Sequence, residues 1–230
     1  MKVAVCTTTR DRLAYTKMCF RSLVDKAGCP FDWLVLDNGS TDGSKEWLQC
    51  YPRLMGKYWY TENQGLSKSY NVLIKALIQD YDYIVHFDND CLVLSENILA
   101  KIMKIYENPL YKDWVLSPQV AGISTQIMRT KMHLLGEVGD AVLGEVPHVG
   151  HIFMCVPSSV YKEYMTTGGY PETLPKGMGQ DTVFCQWLQA TGHKIANVEN
   201  LVVQHVEGTH AQAVRYFEYH ARKIRERTEC

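Results

Sequence analysis

The sequence predicts an α/β fold on a mainly parallel sheet, and three observations predict it. Short apolar runs recur, each closed by a polar turn and followed by a segment of helical period, the rhythm of strands joined by helical crossovers. The runs are apolar nearly throughout, as strands covered on both faces are. The polar turns fall again and again at the carboxyl ends of the strands, where open parallel sheets bind ligands.

Taken in order, the first strand is expected over 3–7, from "VAVCT". Leu13, Phe20, Leu23, Val24 and Ala27 then share one helical face that stops at Gly28. Further strands are expected over 33–36, 58–61 and 83–87, with a helix over 66–78 that turns Leu73, Ala76 and Leu77 inward. The second half is less regular. "DWVLSPQVAG" and "PHVGHIFMCVP" read as strands interrupted by Pro118 and Pro147, Ser158 caps a short helix, 179–191 supplies another helix, and "KIANVENLVVQH" a late strand. Weak periodicity and several glycines mark 125–145 as a mobile loop. No repeat or low-complexity linker divides the chain, so one domain over 1–230 is expected, with halves of about 1–94 and 95–230.

At 230 residues, 46% hydrophobic and 21% charged, the chain can bury a sizeable core. A formal net charge of −1 gives no global field for nucleic acid or an anionic membrane; the basic residues within 215–227 read as a solvated helix face. Eight scattered cysteines without a Cys-x-x-Cys pair fit a reducing compartment, and the absence of a long apolar run fits a cytoplasmic chain without a transmembrane segment.

The polar turns hold the candidate chemistry. Thr7-Thr8-Thr9-Arg10 follows the first strand, "DNGSTDG" from Asp37 and Asn38 the second, "ENQG" with Asn63 and Gly65 the third, and Asp88-Asn89-Asp90 the fourth. In an extended chain Asp88 and Asp90 point to the same side, and two like charges so close raise each other's pKa unless a cation intervenes. Oxygen ligands at a strand end suit Mg²⁺ or Mn²⁺ better than zinc; the competing reading is a solvated acidic turn. No dinucleotide-binding or P-loop glycine pattern is present, and neither acidic turn fits a calcium loop. His148 and His151 alternate faces in a strand, which argues against zinc and leaves acceptor contact for His151; Trp187, like Trp114 and the tyrosines at 161, 164 and 170, reads either as a sugar platform or as core.

With these residues assembled, the chain resembles the family 2 glycosyltransferases, enzymes of the GT-A fold that use nucleotide-sugar donors. The opening strand and helix, "LVLDNGSTDGS", "TENQGLSKSYN", "YIVHFDND" and "MTTGGYPETLPKGMGQDTVFCQWLQATGHKIANVENLVVQHVEGTH" are similar to the family's motifs in the same order. The resemblance implies that 1–94 binds the nucleotide sugar and 95–230 the acceptor. It implies that Asp37 meets the nucleobase, that Thr8 and Arg10 line the nucleotide pocket with Asn38 and Asn89 nearby, and that Asn63, Gly65 and Lys68 lie along the diphosphate or ribose. Asp88 then faces the ribose or donor sugar, and Asp90 binds Mn²⁺ or Mg²⁺ with His205. Each has a plainer reading: Asp37 and Asn38 as turn residues, Lys68 as a surface charge, and His205, with His210 close by, as a structural histidine.

Asp181 falls where the family places its general base, and its competing role is a helix N-terminal carboxylate favoured by the macrodipole. Gln180, Val183 and Trp187 depart from the family's usual Glu, Asp and Arg. The implied function is a metal-dependent, inverting transfer of a sugar, with a UDP-sugar the favoured donor, to a glycan, lipid-linked or other hydroxyl acceptor. The alternatives are a sugar-phosphate nucleotidyltransferase, whose glycine- and basic-rich opening loop is missing from "CTTTRDR", and a non-catalytic nucleotide- or sugar-binding module.

Overall fold

The computed structural model describes residues 1–121 and 132–206. Four strands, β1 (Val3–Thr9), β2 (Asp32–Asn38), β3 (Gly56–Tyr60) and β4 (Tyr83–Phe87), alternate with helices α1 (Leu13–Lys26), α2 (Ser44–Cys50) and α3 (Leu66–Leu77). All four strands run parallel in the order β3-β2-β1-β4. Alternate residues of β1 and β2 supply two cores. Val3, Val5, Trp33 and Val35 pack with Cys19, Phe20 and Leu23 of α1, while Ala4, Cys6, Leu34 and Leu36 pack with Tyr70, Leu73, Ile74 and Leu77 of α3. Ala76, expected inward, is exposed, and Tyr70 and Ile74 take the buried stripe instead.

After β4 come β5 (Cys91–Val93), α4 (Ile98–Tyr106), a 3₁₀ turn at Pro109–Tyr111, β6 (Val115–Ala121), β7 (His133–Val138), β8 (Ala141–Glu145), β9 (Phe153–Pro157), α5 (Ser158–Thr166), α6 (Gln180–Ala190) and β10 (Ile195–His205). The sheet continues from β4 through β9, β6, β10, β8 and β7, with β5 on the far part of β10. β6 and β10 pair in parallel, whereas β9, β8, β7 and β5 form the antiparallel portion. The expected architecture is therefore present, and the second half is part of the same sheet.

Two expectations change. β6 continues through Pro118, because its ladder to β9 is confined to Leu116 and the missing proline N–H falls beyond it. Opposite Pro118 the register of β10 shifts between Val198 and Val202, and Ser117 Oγ donates to Phe153 O at 2.8 Å. The segment expected as a mobile loop is, over 133–145, the hairpin β7–β8; the rest of that stretch, together with His210 and 215–227, lies outside the described residues. Ser158 begins α5, but its hydroxyl makes no cap; its N–H donates to Asp82 O instead.

Candidate active site

The tips of β1 to β4 meet at one edge of the sheet. Thr7 Oγ1 donates to Phe87 O at 2.8 Å, binding the end of β1 to the end of β4. Thr8, 8% exposed, keeps its hydroxyl out of every hydrogen bond among the described residues, an orphaned polar atom that a ligand can satisfy. Thr9 Oγ1 donates to Asp37 Oδ2 at 3.1 Å, and Ser40 N donates to Asp37 Oδ1 at 2.9 Å. Asp37 is fully buried and organises its own turn. Arg10 follows β1 half-buried.

Asn38 joins the second and third turns: its Nδ2 donates to Asn63 Oδ1 at 2.9 Å, and its Oδ1 accepts from Gln64 N at 2.8 Å. Gly39, at φ +77°, lies under Glu62 so closely that a Cβ would stand 2.7 Å from the Glu62 carbonyl carbon. Asn63 Oδ1 also accepts from Gly65 N, and Lys68, on the first turn of α3, donates to Gln64 Oε1 at 2.8 Å. Asp37, Asn38, Asn63, Gly65 and Lys68 thus form one braced rim.

At the end of β4 the acidic triplet divides. Asn89 is buried and its Nδ2 donates to Thr16 Oγ1 at 3.0 Å, so it holds α1. Asp88 and Asp90 are half-buried. Asp88 accepts from Tyr70 Oη at 3.4 Å; Asp90 pairs with Arg12 through Oδ2 and faces His205 Nε2 at 3.4 Å through Oδ1. Burial and then the neighbouring Asp90 charge raise Asp88 above the usual carboxylate range, against the pull of His205 and Arg12. Burial would raise Asp90 too, but the His205 hydrogen bond and the Arg12 charge hold it below that range. Their environments push the two carboxyls apart in the way expected of a shared charged site.

His205 reaches this edge because the end of β10 pairs antiparallel with β5, and Val206 N donates to Asp90 O at 2.9 Å. Arg12 reaches it through backbone strain: Asp11 and Arg12 sit at φ 54° and 66°, held by Ser40 Oγ on Asp11 N and by Thr41 N on Asp11 Oδ1. Among the described residues no three carboxylate, imidazole or thiolate groups converge as a preformed cage. Asp90 and His205 are still a fitting partial set for Mn²⁺ or Mg²⁺, ions that take other ligands from water and phosphate.

Asp181 enters from the second half, in the first turn of α6, and is half-buried. Its Oδ1 accepts from Thr182 N at 2.8 Å, and Gly150 and Gly179 lie against its two oxygens. Burial, and after it the charge of Asp88, raises the Tyr70 hydroxyl well above the ordinary range, with Asp181 a lesser contributor. Beside this point a cleft of about 900 Å³ opens between 63–68 and 172–180.

The two residues expected to meet the acceptor lie among aromatic rings. His151 is buried, shares a 2.8 Å hydrogen bond between Nε2 and Tyr170 Oη, and stacks on His86; Trp187 packs against Tyr164, Phe184 and His193. Both rings pack against Phe184 of α6. Arg12, Tyr70 and the Ser67–Gln180 contact are residues that sequence reasoning missed. Tyr70 leads Leu73, Ile74 and Leu77 at helical spacing, so it reads as core; the only sequence signal for Arg12 is its place in the polar "TTTRDR" turn.

Comparison with known proteins follows the same outline. A family model described as Glycosyl transferase family 2 matches residues 4–156. No characterised protein sequence matches significantly. Among solved structures, S. aureus TarS 1-349 aligns at 17% identity and TM-score 0.68 over 90% of this chain and 61% of its own. The mannosyltransferase PcManGT from Pyrobaculum calidifontis, in complex with GDP-Man and Mn²⁺, aligns at 16% identity and TM-score 0.66, covering 97% of this chain and 64% of its own. GalNAc-T7 with UDP, GalNAc and Mn²⁺ aligns at 12% identity and TM-score 0.67, covering 89% and 44%. The chain thus spans under two thirds of each of these structures, with which it shares the GT-A glycosyltransferase fold. By the match over 4–156, the chain belongs to glycosyl transferase family 2.

Proposed function

We propose that the protein transfers a sugar from a nucleoside-diphosphate donor to an acceptor hydroxyl, with inversion at the anomeric carbon. The observation that carries this reading is the gathering of an orphaned Thr8 hydroxyl and the Asp88/Asp90 pair at the ends of β1 and β4, with Asp181 next to Gln180, which lines a cleft large enough for sugar rings. Two of the structural neighbours carry nucleotide and Mn²⁺ by their descriptions, which supports donor and metal of the same classes here.

In this reading Thr8, Arg10 and Asp37 take the nucleoside, each Asp37 oxygen retaining a lone pair for a base N–H beside its protein donor. Asn38 and Asn63 hold the rim, Gly65 and Lys68 lie along the diphosphate, and Asp88 faces the ribose or donor sugar. Asp90 and His205 would hold Mn²⁺ or Mg²⁺, whose chemistry is neutralisation of the departing diphosphate. Asp181 accepts the acceptor hydroxyl's proton as that oxygen attacks the anomeric carbon opposite the leaving nucleotide. The anomeric C–O bond to the phosphate breaks as the new C–O bond forms, and the electron pair leaves with the nucleoside diphosphate. Donor with a UDP leaving group is favoured, the acceptor being a glycan, lipid-linked or other hydroxyl compound met in the cytoplasm; no helix among the described residues is long and apolar enough to cross a membrane.

Calorimetric titration with UDP and GDP, with and without Mn²⁺, tests the donor half of the proposal. Metal-strengthened binding of one of them is expected; affinity indifferent to metal for both would end the Asp90/His205 assignment. Proton NMR of the product anomer reads the stereochemistry, and a retained configuration would replace the single displacement.

A further inference from the structure

Asn71 and Tyr170 tie the donor edge to the segment that carries Asp181, across a sequence separation of 99. Asn71 sits on α3 one residue after Tyr70, whose hydroxyl donates to Asp88. Its side chain grips both backbone groups of Tyr170: Nδ2 donates to Tyr170 O at 2.8 Å, and Oδ1 accepts from Tyr170 N at 2.9 Å. The approach leaves no space for a side chain at the preceding residue. Gly169 is at φ +73°, and a Cβ there would lie 2.5 Å from Asn71 Oδ1.

Tyr170 extends the connection. It is 1% exposed, with its ring against Tyr70, Tyr164 and Phe184, the last a residue of α6. Its hydroxyl shares the hydrogen bond with His151, and the next residue back, Gly150, lies 3.8 Å from Asp181 Oδ2 at its Cβ position. A further tie joins the same helix to the base segment, from Gln180 Nε2 to Ser67 Oγ at 3.4 Å. One turn of α3 therefore touches Asp88 with one residue and, with the next, the segment that leads to Asp181.

We infer that Asn71 and Tyr170 are positioning residues for the transfer step: they set the distance between the donor edge and the Asp181 carboxylate without touching donor or acceptor. This rests on Asp181 being the base. The clamp acts on turnover and leaves nucleotide affinity alone, because the groups expected to hold the nucleotide are braced separately, by Asn38, Asn63 and Asp37.

The test uses the full chain with N71A and Y170F, each made also in a D181N background. Y170F keeps the ring packing and removes only the hydroxyl, so it remains informative if N71A folds poorly. Mn²⁺ with UDP or GDP measures affinity, release of nucleotide from UDP-N-acetylglucosamine and GDP-mannose measures turnover, and hydrogen exchange over 170–181 measures order. Affinity within about twofold is expected, with turnover reduced about tenfold or more in the native background and by less than about twofold beside D181N, the non-additivity of residues acting through one group. Faster exchange over 170–181 in N71A is expected as well. Equal losses in both backgrounds would show a general structural role and overturn the inference, as would undiminished turnover in both single variants. Full turnover in D181N alone would instead remove the base assignment. If neither donor is cleaved, the exchange measurement decides: unchanged protection in N71A overturns the clamp.

Discussion

Asp181 has little room beside Gly179. A Cβ on residue 179 would lie 2.3 Å from Asp181 Oδ1, yet its backbone, at φ −93°, accepts alanine without strain. Gly179→Ala is therefore expected to leave the melting temperature nearly unchanged while moving the carboxylate, so that turnover falls at constant nucleotide affinity; steady-state kinetics beside thermal melting checks it. Asp181→Asn should lower turnover by about 10²-fold or more, the ordinary reach of a placed base, with donor binding retained. At the end of β4 Arg12 occupies one oxygen of Asp90, where a divalent ion would have to compete with a guanidinium. Arg12→Gln is expected to bind Mn²⁺ more tightly, as read by the loss of free-ion electron paramagnetic resonance signal. Weaker binding would mean that Arg12 assists the cation's anionic partner. The polar turn residues stand out in the sequence because short polar side chains close four apolar strands in succession; Tyr70 and Asn71 are hidden inside a helix whose period accounts for Tyr70 as packing.

β4 shows both what an element's sequence reveals and what it conceals. Tyr83, Ile84, Val85, His86 and Phe87 are all buried, so the run reads plainly as a strand covered on both sides. The cost of His86 in that run is invisible without its surroundings. Both its ring nitrogens lack a hydrogen-bond partner among the described residues, and burial drives its pKa down to about 3; His151, stacked on it, is also driven well below the ordinary histidine range, by burial and by the neighbouring His86. An unfolded histidine gains its proton near pH 6.5, and the native one does not until far lower. The unfolded chain therefore binds more protons below that point, and stability falls as pH drops from about 6.5 toward about 3. His86→Leu, which fills similar space without a titrating group, should move the acid-unfolding midpoint to lower pH, followed by tryptophan fluorescence; an unmoved midpoint would place the acid sensitivity elsewhere. β5, with three residues, and β7, with Leu134 60% exposed, are too short or too open to announce themselves by apolar runs.

At the scale of the whole molecule, the two halves suggested by the sequence are joined by a continuous sheet. β4 pairs with β9 along its full length, β5 pairs with β10, and both cores draw residues from before and after residue 94. A fragment of residues 1–94 would leave β4 as a bare apolar edge and is expected to show no cooperative thermal transition by circular dichroism, although it contains most of the polar rim. The order of motifs made the architecture readable, since parallel strands need crossovers and the helical segments between them have the right length. What could not be read was the partner of each strand in the second half, because antiparallel pairing depends on contacts between residues remote in sequence. The pairing of β10 with β5 gives the acidic turn a further property. Asp90 and His205 are synthesised far apart, and the strand that brings the imidazole is the last of the described chain to leave the ribosome. A nascent chain halted before that strand would carry its carboxylates without their nitrogen donor, so in the reading proposed above competence to grip a cation should appear abruptly, once β10 has joined the sheet.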